Sequence, residues 1–248
     1  MRTSYILAVI GCIAFLLLDR GCVRFNYPSL AEFPVQGVDV SHHQGPIQWK
    51  ALAGPHVKFA YIKASEGGTF VDPRFQENWR EAREAMIAAG PYHFFTLCRS
   101  GAEQAHHFLS VIAPIAILQL PPAVDLEYGG NCQARPSVEE LGRELATFAA
   151  IVEHARGCRP LLYVTQDFYD DYLARHPQKY SLWVRNIFRR PGSLNGEVLF
   201  WQFANRGRLP GVEGAIDLNV FHGREVDLHR LRCTASTKRV TGVRDGPR

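Results

Sequence analysis

From about residue 37 onward, strand-like and helix-like segments alternate along the chain. Short apolar runs at 37–41 and 58–65 are of strand type, whereas the long segment 137–157 has helical periodicity. Parallel strands need long crossover connections, which are usually helices, so this alternation predicts βα units and a parallel sheet. Two further strands, 197–204 and 215–221, follow one another without a helix between them. The sequence therefore predicts an α/β fold, a TIM-like barrel of five βα units closed by about three further strands.

The helical segments carry start and stop signals of their own. Residues 72–90 are predicted to form one helix, with Asp72 as its cap and Gly90 at its end. Ser137 and Gly157 bound the long amphipathic helix in the same way. The other predicted segments are helices at 102–112 and 167–176 and strands at 92–97, 122–127, 160–165 and 181–187.

Three of the strand-like segments share the pattern apolar–Asp–apolar: GVDVS, AVDLE and AIDLN. They place Asp39, Asp125 and Asp217 in apolar strands, and Glu127 shares a face with Asp125 because side chains two residues apart on a strand point the same way. A barrel of βα units carries its chemistry at the carboxyl ends of its strands, so we expect these acids to meet there.

Close carboxyl groups push their pKa values apart, which leaves one protonated and another ionised. A protonated acid beside a carboxylate is what glycoside hydrolysis requires. The alternative for the D-x-E strand taken by itself is a solvent-facing edge with an ordinary polar face.

Aromatic residues are concentrated in or next to the same strands. Sugar rings stack on aromatic faces, but aromatic side chains also simply fill barrels. We therefore expect two or three of them to line the cleft and the others to be core. The candidates are Tyr61, Tyr92, Phe94, Tyr128, Tyr163, Trp183 and Trp201.

The first residues predict an exported protein. Arg2 precedes an uncharged apolar run at 5–18, which is typical of a secretory signal and shorter than the roughly 20 residues of a membrane span. No clean small-x-small cleavage site follows, so an anchor in the inner membrane and a buried helix are alternatives. We expect residues 1–30 to be a signal peptide or membrane anchor, 36–233 a barrel domain and 234–248 a disordered tail, in a periplasmic or extracellular protein.

Four cysteines lie in the body of the chain, and an exported location permits disulfides. No C-x-x-C metal spacing is present. Cys98 follows one apolar strand and Cys132 follows the acidic one. If these strands are neighbours, a Cys98–Cys132 bond joins their loops at the same end of the barrel. The pairing of Cys158 and Cys233 is left open.

The formal net charge is +4 and the basic residues are spread out. Nucleic-acid binding needs a basic stripe, which the sequence lacks. A mild positive balance suits an anionic polymer such as a cell-wall glycan.

Eight segments together carry a resemblance to a known family. GVDVSHHQG, KFAYIKASEGGTFVDPRFQENW, YHFF, PPAVDLE, LLYV, LWVR, FWQFA and AIDLNVF occur in this order. They resemble the family 25 glycoside hydrolases, the Chalaropsis-type lysozymes, over roughly residues 36–224. The G-x-D-V-S-x-x-Q-G opening and the D-x-E strand carry most of the specificity.

The resemblance implies a flattened barrel and cleavage of the β-1,4 bond between N-acetylmuramic acid and N-acetylglucosamine in peptidoglycan. It implies Glu127 as general acid, Asp125 as the other acid of the pair, Asp39 and Asp217 as further site acids, and Glu66 at a loop that faces the cleft. Peptidoglycan glycan strands are the expected partner, the chain is expected to act as a monomer, and no metal or organic cofactor is expected.

Asp125 has two open roles. It either stabilises the developing oxocarbenium charge or orients the substrate acetamide as an internal nucleophile. Adjacent acids on one strand are badly placed to attack from opposite faces of a sugar. Substrate assistance, or another Asp across the cleft, is therefore favoured.

One connection departs from the family pattern. The segments A-A-G and G-x-Y-H-F-F are fused here as IAAGPYHFF, as if about four residues had been lost. The connection must then be compressed, or the helix must end early, around Ala85. Pro91 also cannot donate a backbone hydrogen bond. A short or displaced third strand, with His93 displaced too, and impaired folding are the expected consequences.

Two other functions fit parts of the sequence. A catalytically silent glycan-binding module would keep the barrel and lose the chemistry. A metal-dependent hydrolase would use histidines and acids at the same mouth, although the histidines have no strong ligand spacing. Its candidate ligands are His42, His43, His93, Asp39 and Asp125.

Overall fold

A computed structural model describes residues 26–54, 57–175 and 180–233. The strands in these ranges are β1 (Gln36–Val40), β2 (Val57–Glu66), β3 (Phe70–Val71), β4 (Ala88–Phe94), β5 (Ala123–Leu126), β6 (Leu161–Thr165), β7 (Leu182–Arg185), β8 (Val198–Gly207) and β9 (Ile216–Phe221). The helices are α1 (Trp49–Leu52), α2 (Phe75–Glu84), α3 (Gly101–Ile112), α4 (Val138–Arg156), α5 (Gln166–Phe168, continued by a π-helical turn over Tyr169–Leu173) and α6 (Glu225–Arg230), with a 3-10 turn at His42–Gln44.

The sheet closes on itself. Strands β1, β2, β4, β5, β6, β7 and β8 run parallel in this order, and β9 lies antiparallel between β8 and β1. The two-residue β3 pairs with the end of β2 outside the ring. Five βα units followed by β7, β8 and β9 make the eight-stranded barrel, which confirms the predicted fold class.

Alternate residues of each strand fill the inside of the barrel. The rings of Tyr61 and Trp183 stack with centroids 4.7 Å apart, and Phe59 meets Phe200 at 5.0 Å. All four side chains are at most 2% exposed. The lower interior is therefore packed with side chains, and a cavity remains at the mouth of the barrel, at the carboxyl ends of the parallel strands.

The segment 72–90 does not form one helix. Helix α2 ends at Glu84, Met86 adopts a positive φ of 64°, and strand β4 already begins at Ala88. The prediction that the helix runs to Gly90 is wrong, and the early end around Ala85 is confirmed. Gly90 lies in β4 against the Tyr61 ring, where an added Cβ would be 2.6 Å from Tyr61 Cε1. Its role is thus to admit an aromatic ring into the barrel.

The fused connection leaves β4 intact. The strand has seven buried residues and pairs with β2 on one side and β5 on the other. The expectation of a short or displaced strand is therefore wrong. His93 is fully buried on the outer side of β4 and stacks on Phe148 of α4. Its Nδ1 lies 2.9 Å from Ser65 Oγ.

The predicted caps have different outcomes. Ser137 accepts a hydrogen bond from the Glu140 amide at the start of α4, and Gly157 ends that helix with a φ of 72°, as predicted. The N-cap of α2 is Arg74, and not Asp72 as predicted. The buried Asp72 carboxylate does accept a hydrogen bond from the Arg74 amide just before the helix, at 2.9 Å, and it accepts two more from the backbone and the Nδ1 of His42, at 2.9 and 2.8 Å. It therefore fixes the turn after β1.

Two disulfides connect the described loops. The predicted Cys98–Cys132 bond is confirmed and joins the loops that follow β4 and β5 at the mouth. Cys158 bonds to Cys233 beside the start of β6, at the opposite end of the barrel.

No helix in the described ranges has the length and apolarity needed to cross a membrane. The apolar run 5–18 and the tail 234–248 lie outside the described residues. The domain bounds proposed for them stay predictions.

Candidate active site

A cavity of about 420 Å³ opens at the carboxyl ends of the parallel strands. The structure brings together in its wall all the acids that the sequence singled out. These are Asp39, Glu66, Asp125, Glu127 and Asp217. The chain thus gathers five carboxyl groups from β1, β2, β5 with the loop after it, and β9.

Asp39 and Asp217 meet because the barrel closes at these strands. They are register partners in the antiparallel pairing of β1 with β9. Asp39 lies near the end of β1, whereas Asp217 is the second residue of β9. An antiparallel strand presents its amino end to the mouth, which is why an acid at the start of β9 reaches the same place.

Buried amides hold Asp39 in place. Its Oδ1 accepts hydrogen bonds from Gln202 Nε2 at 2.8 Å and from Asn219 Nδ2 at 2.6 Å. The Tyr163 hydroxyl donates to Gln202 Oε1 at 3.1 Å, and the Trp183 indole N–H donates to Asn219 Oδ1 at 2.8 Å. Each amide is therefore oriented by an aromatic side chain, so that its N–H faces the carboxylate.

The carboxyl groups of Asp39 and Asp217 influence each other's pKa. Burial raises the pKa of Asp217 well above its usual range, and the neighbouring Asp39 charge raises it further. Burial also raises the pKa of Asp39, but hydrogen bonds from Asn219, Gln202 and Asp217 oppose that rise. The pKa of Asp217 is thus raised the further of the two, and Asp39 is the member of the pair that accepts hydrogen bonds from two buried amides.

Asp125 and Glu127 differ in their contact with solvent. Burial, and then the Glu127 charge, raise the pKa of Asp125 well above its usual range, and its buried Oδ1 has no hydrogen-bond partner among the described residues. Glu127 is more open, with its side chain 20% exposed. Burial raises the pKa of Glu127 as well, and the Arg185 charge opposes that rise.

A side chain of the loop after β5 holds the backbone of Glu127 by a hydrogen bond. Asn131 Nδ2 donates to the carbonyl oxygens of Glu127 and Phe95, at 3.0 and 2.9 Å. Its Oδ1 accepts from the Leu97 amide at 2.9 Å. The Cys98–Cys132 disulfide connects the same two loops. The position of Glu127 therefore depends on contacts outside its own strand.

Two basic side chains enter the cavity. Lys63 is 8% exposed, and its Nζ lies 2.8 Å from Glu66 Oε2 and 4.9 Å from the centre of the Phe94 ring. Arg185 Nη1 lies 3.4 Å from Glu127 Oε2. Two cations face five carboxyl groups, so burial is tolerable only if some of those groups hold protons.

The G-x-D-V-S-x-x-Q-G segment has a structural explanation. Ser41 and Gln44 form a capping box around the 3-10 turn: the Ser41 side chain accepts from the His43 amide, and Gln44 Oε1 accepts from the Ser41 amide at 2.9 Å. Gly45 follows with a φ of 66°, a conformation that favours glycine. The turn places His43 and Gln44 in the cavity wall.

The predicted aromatic set divides by position. Tyr92, Phe94, Tyr163 and Trp183 line the cavity. Tyr61 lies one layer deeper, under Trp183, and Trp201 faces outward, where its indole N–H donates to the Asn186 carbonyl. These two pack the barrel and do not line the cavity.

A smaller hollow of about 250 Å³ adjoins the cavity, and Tyr128 lies in its wall. The hollow and the cavity share Glu127, Gly129 and Arg185. Thr165 and Phe188, which is 83% exposed, line its other sides. Glu127 therefore stands at the boundary between two connected depressions.

The histidines of the metal alternative do not converge. His93 is buried on the outer side of β4, and His42 Nδ1 is bonded to Asp72. Of these, His43 alone reaches the cavity wall. In the described part of the chain, no three His, Cys, Asp or Glu side chains are grouped to hold a metal ion.

The sequence reasoning missed the polar residues that surround the acids. Strand parity could have found them, because each lies two residues after an inward-facing side chain. The missed residues are Lys63, Arg185, Gln202 and Asn219, which follow Tyr61, Trp183, Phe200 and Asp217. Asn131 lies in a loop and gave no such signal.

Comparisons with known proteins agree with this architecture. The family model for glycosyl hydrolases family 25 matches residues 38–212. The chain is 32% identical to the protein YegX of Escherichia coli (strain K12), covering 88% of this chain and 77% of that protein. It is 31% identical to lysozyme M1 of Streptomyces globisporus, covering 79% of this chain and 71% of that protein.

A solved structure extends the similarity to the fold. A family 25 glycosyl hydrolase from Bacillus anthracis superposes with a TM-score of 0.74 at 33% identity, covering 84% of this chain and 98% of that chain. The resemblance carried by the sequence motifs is thereby confirmed. The chain belongs to glycosyl hydrolase family 25 and is a glycoside hydrolase.

Proposed function

We propose that this enzyme hydrolyses peptidoglycan, cleaving the β-1,4 bond between N-acetylmuramic acid and N-acetylglucosamine with Glu127 as general acid. The observation that carries the proposal is the position of Glu127. Its half-buried carboxyl group has a raised pKa and borders both the cavity and the hollow. A glycan strand lying through both depressions would bring a glycosidic oxygen to this group. The similarity to lysozyme M1 supports the choice of polymer.

The other acids support distinct steps. Asp39 accepts hydrogen bonds from Gln202 and Asn219, so it is the carboxylate best suited to face a developing positive charge. Asp125 lines the cavity, and burial raises its pKa. Its carboxyl group is suited to hold the substrate acetamide, which would serve as the internal nucleophile. Asp39 is thus the acid across the cleft, and Asp125 orients the substrate.

The replacement Glu127→Gln tests the assignment of the acid. Glutamine keeps the shape of the side chain but has no proton to give, and general acids typically contribute about 10²- to 10⁴-fold to rate. We expect a loss of that size in the release of muropeptides from sacculi. Mass spectrometry of wild-type digests should show new reducing ends on muramic acid. A Glu127→Gln enzyme with wild-type turnover would refute the assignment.

The same assay separates the alternatives. A silent glycan-binding module would bind sacculi and release nothing, in the wild type as in Glu127→Gln. A metal-dependent hydrolase would lose activity in a chelator. We expect the wild type to cleave sacculi equally well with and without EDTA, and Glu127→Gln to retain binding.

The location follows from the substrate. The family and the two disulfides indicate an exported protein that acts on the cell wall. We further propose that it acts as a monomer and that residues 1–30 direct export, as a cleaved signal or as a membrane attachment. N-terminal sequencing of the exported protein would reveal which of the two applies.

A further inference from the structure

The two basic side chains of the cavity wall, Lys63 and Arg185, contact different carboxyl groups. Lys63 is held by Glu66 at 2.8 Å, with its amine over the Phe94 ring. Arg185 is the remaining cation of the cavity wall, apart from any charge on His43. Its Nη1 contacts Glu127 Oε2 at 3.4 Å. Glu127 is therefore the carboxyl group that the Arg185 guanidinium contacts directly.

Strand β7 fixes Arg185 in this place. It lies two residues after Trp183, so its side chain points into the barrel, and its backbone pairs with Thr165 on β6 and Gln202 on β8. Arg185 lines both the cavity and the hollow, as Glu127 does. A guanidinium presents five N–H donors in a rigid fork, and it thus reaches Glu127 from a strand that cannot move independently.

We propose that Arg185 is the positioning residue of this active site: it holds the Glu127 carboxyl group at the boundary of the two depressions, and its charge sets the pH range of the reaction. The inference rests on the proposed function for the role of Glu127 as general acid. Arg185 acts through Glu127 and transfers no proton itself.

The direction of the pH effect follows from charge. The Arg185 cation opposes the rise in pKa of Glu127, Asp125, Asp39 and Asp217 alike. Without that charge, all of these groups keep their protons to higher pH. The limb at high pH, where the general acid ionises, and the limb at low pH, where a needed carboxylate protonates, both move upward. The charged and titratable groups that face Glu127 or Arg185 are Asp39, Lys63, Asp125, Tyr163, Asp167 and Asp217.

The test compares Arg185→Gln with Arg185→Lys in the pH dependence of kcat/KM on soluble glycan fragments. We expect both limbs of the Arg185→Gln profile to shift upward by about one pH unit. This is the lower end of the pKa shifts that the loss of an opposite charge at this distance causes. Arg185→Lys should keep the limbs in place and lose several-fold in kcat, because an ammonium lacks the planar fork. The control Arg80→Gln removes an exposed Arg–Glu contact on α2 and should leave the profile unchanged.

A purely structural role predicts another result. A packing defect lowers the rate at every pH without moving the limbs. Limbs of a folded Arg185→Gln that coincide with those of the wild type would overturn the inference. Arg185→Met provides a second neutral variant of similar length should the glutamine variant not fold.

A titration independent of turnover separates this inference from the proposed function. The carboxyl ¹³C signal of Glu127 is assigned by its absence in Glu127→Gln and followed with pH. We expect its midpoint to rise in Arg185→Gln, and an unchanged midpoint would overturn the role of Arg185. A wild type that does not cleave sacculi would count against the proposed function, even if the midpoint rises.

Discussion

At the scale of single residues, the site concentrates carboxyl groups that the fold would be more stable without. Asp125 and Asp217 are buried, and burial raises the pKa of each well above its usual range. Ionising such a group costs more free energy in the folded protein than in the unfolded chain. Ionisation of these acids therefore opposes folding at neutral pH.

Asp217→Asn tests this conclusion. A raised carboxyl pKa gives a stability contribution that is complete below the unfolded value, near 3.8, and is lost as pH rises through the folded value. Asparagine cannot ionise, yet its amide can still donate to Asp39. We expect the variant to gain about 1 kcal/mol over the wild type at pH 7, with the gain vanishing below pH 4, and to lose hydrolytic activity. Urea denaturation across pH measures the difference.

Asp227 on α6 supplies a control of opposite sign. Its hydrogen bond with Arg224 lowers its pKa, so its contribution is present above the unfolded value and is lost as pH falls. Asp227→Asn should be less stable than the wild type at pH 7 and equal to it at low pH. If both variants respond to pH in the same sense, burial does not explain the raised pKa of Asp217.

The sequence shows which residues are acidic and which strand face they share, but not which donors meet them. Asp39, Asp125 and Asp217 could be predicted because an acid within an apolar strand is conspicuous. Strand parity places Gln202 and Asn219 on the inner face, but their contact with Asp39 could not be predicted, since it depends on the register of β1, β9 and β8. Register across separate strands depends on the closed barrel, and a single strand does not encode it.

At the scale of elements, the α2–β4 connection explains why the sequence pattern predicts a helix that runs to Gly90, beyond its observed end at Glu84. The run of apolar residues after Glu84 suits a helix and a buried strand equally well. The chain leaves the helix at Met86, which takes a positive φ of 64° without being glycine. Turn signals are read from Gly, Asn and Asp, and a methionine in that conformation gives none.

Met86→Gly should therefore stabilise the protein. The side chain is 90% exposed, so its removal sacrifices no core contact. The left-handed conformation costs a residue with a Cβ about 1–2 kcal/mol, and glycine removes this cost while adding freedom to the unfolded chain. We expect a net gain of about 0.5–1 kcal/mol in the free energy of unfolding. Met86→Ala keeps the Cβ and should show no such gain; equal gains in both would contradict the assignment.

At the scale of the whole molecule, the two disulfides lie at opposite ends of the barrel, and we expect them to affect stability and catalysis differently. Cys98–Cys132 spans 34 residues at the mouth, next to the loop that fastens Glu127. Cys158–Cys233 spans 75 residues at the opposite end of the barrel. Disulfides that close loops of this length stabilise a fold by up to about 4 kcal/mol, because they lower the entropy of the unfolded chain.

Paired alanine replacements separate these two effects. We expect both double variants, at 98 with 132 and at 158 with 233, to unfold at lower temperature. The pair at the mouth should also lose kcat at temperatures where it is still folded, because the Glu127 loop gains freedom. The pair at the far end should keep near-wild-type kcat under the same conditions. Equal losses of kcat would mean that the mouth disulfide has no special role.

The strand pairing that closes the barrel has a consequence for biosynthesis. Asp39 lies on the first strand of the ring and Asp217 on the last, so one and the same contact completes the wall and unites these two acids. A nascent chain has produced most of its βα units before residue 217 leaves the ribosome. Until then Asp39 has no carboxyl partner and no Asn219. A chain that lacks β9 therefore has neither a closed barrel wall nor the carboxyl group and the amide that face Asp39.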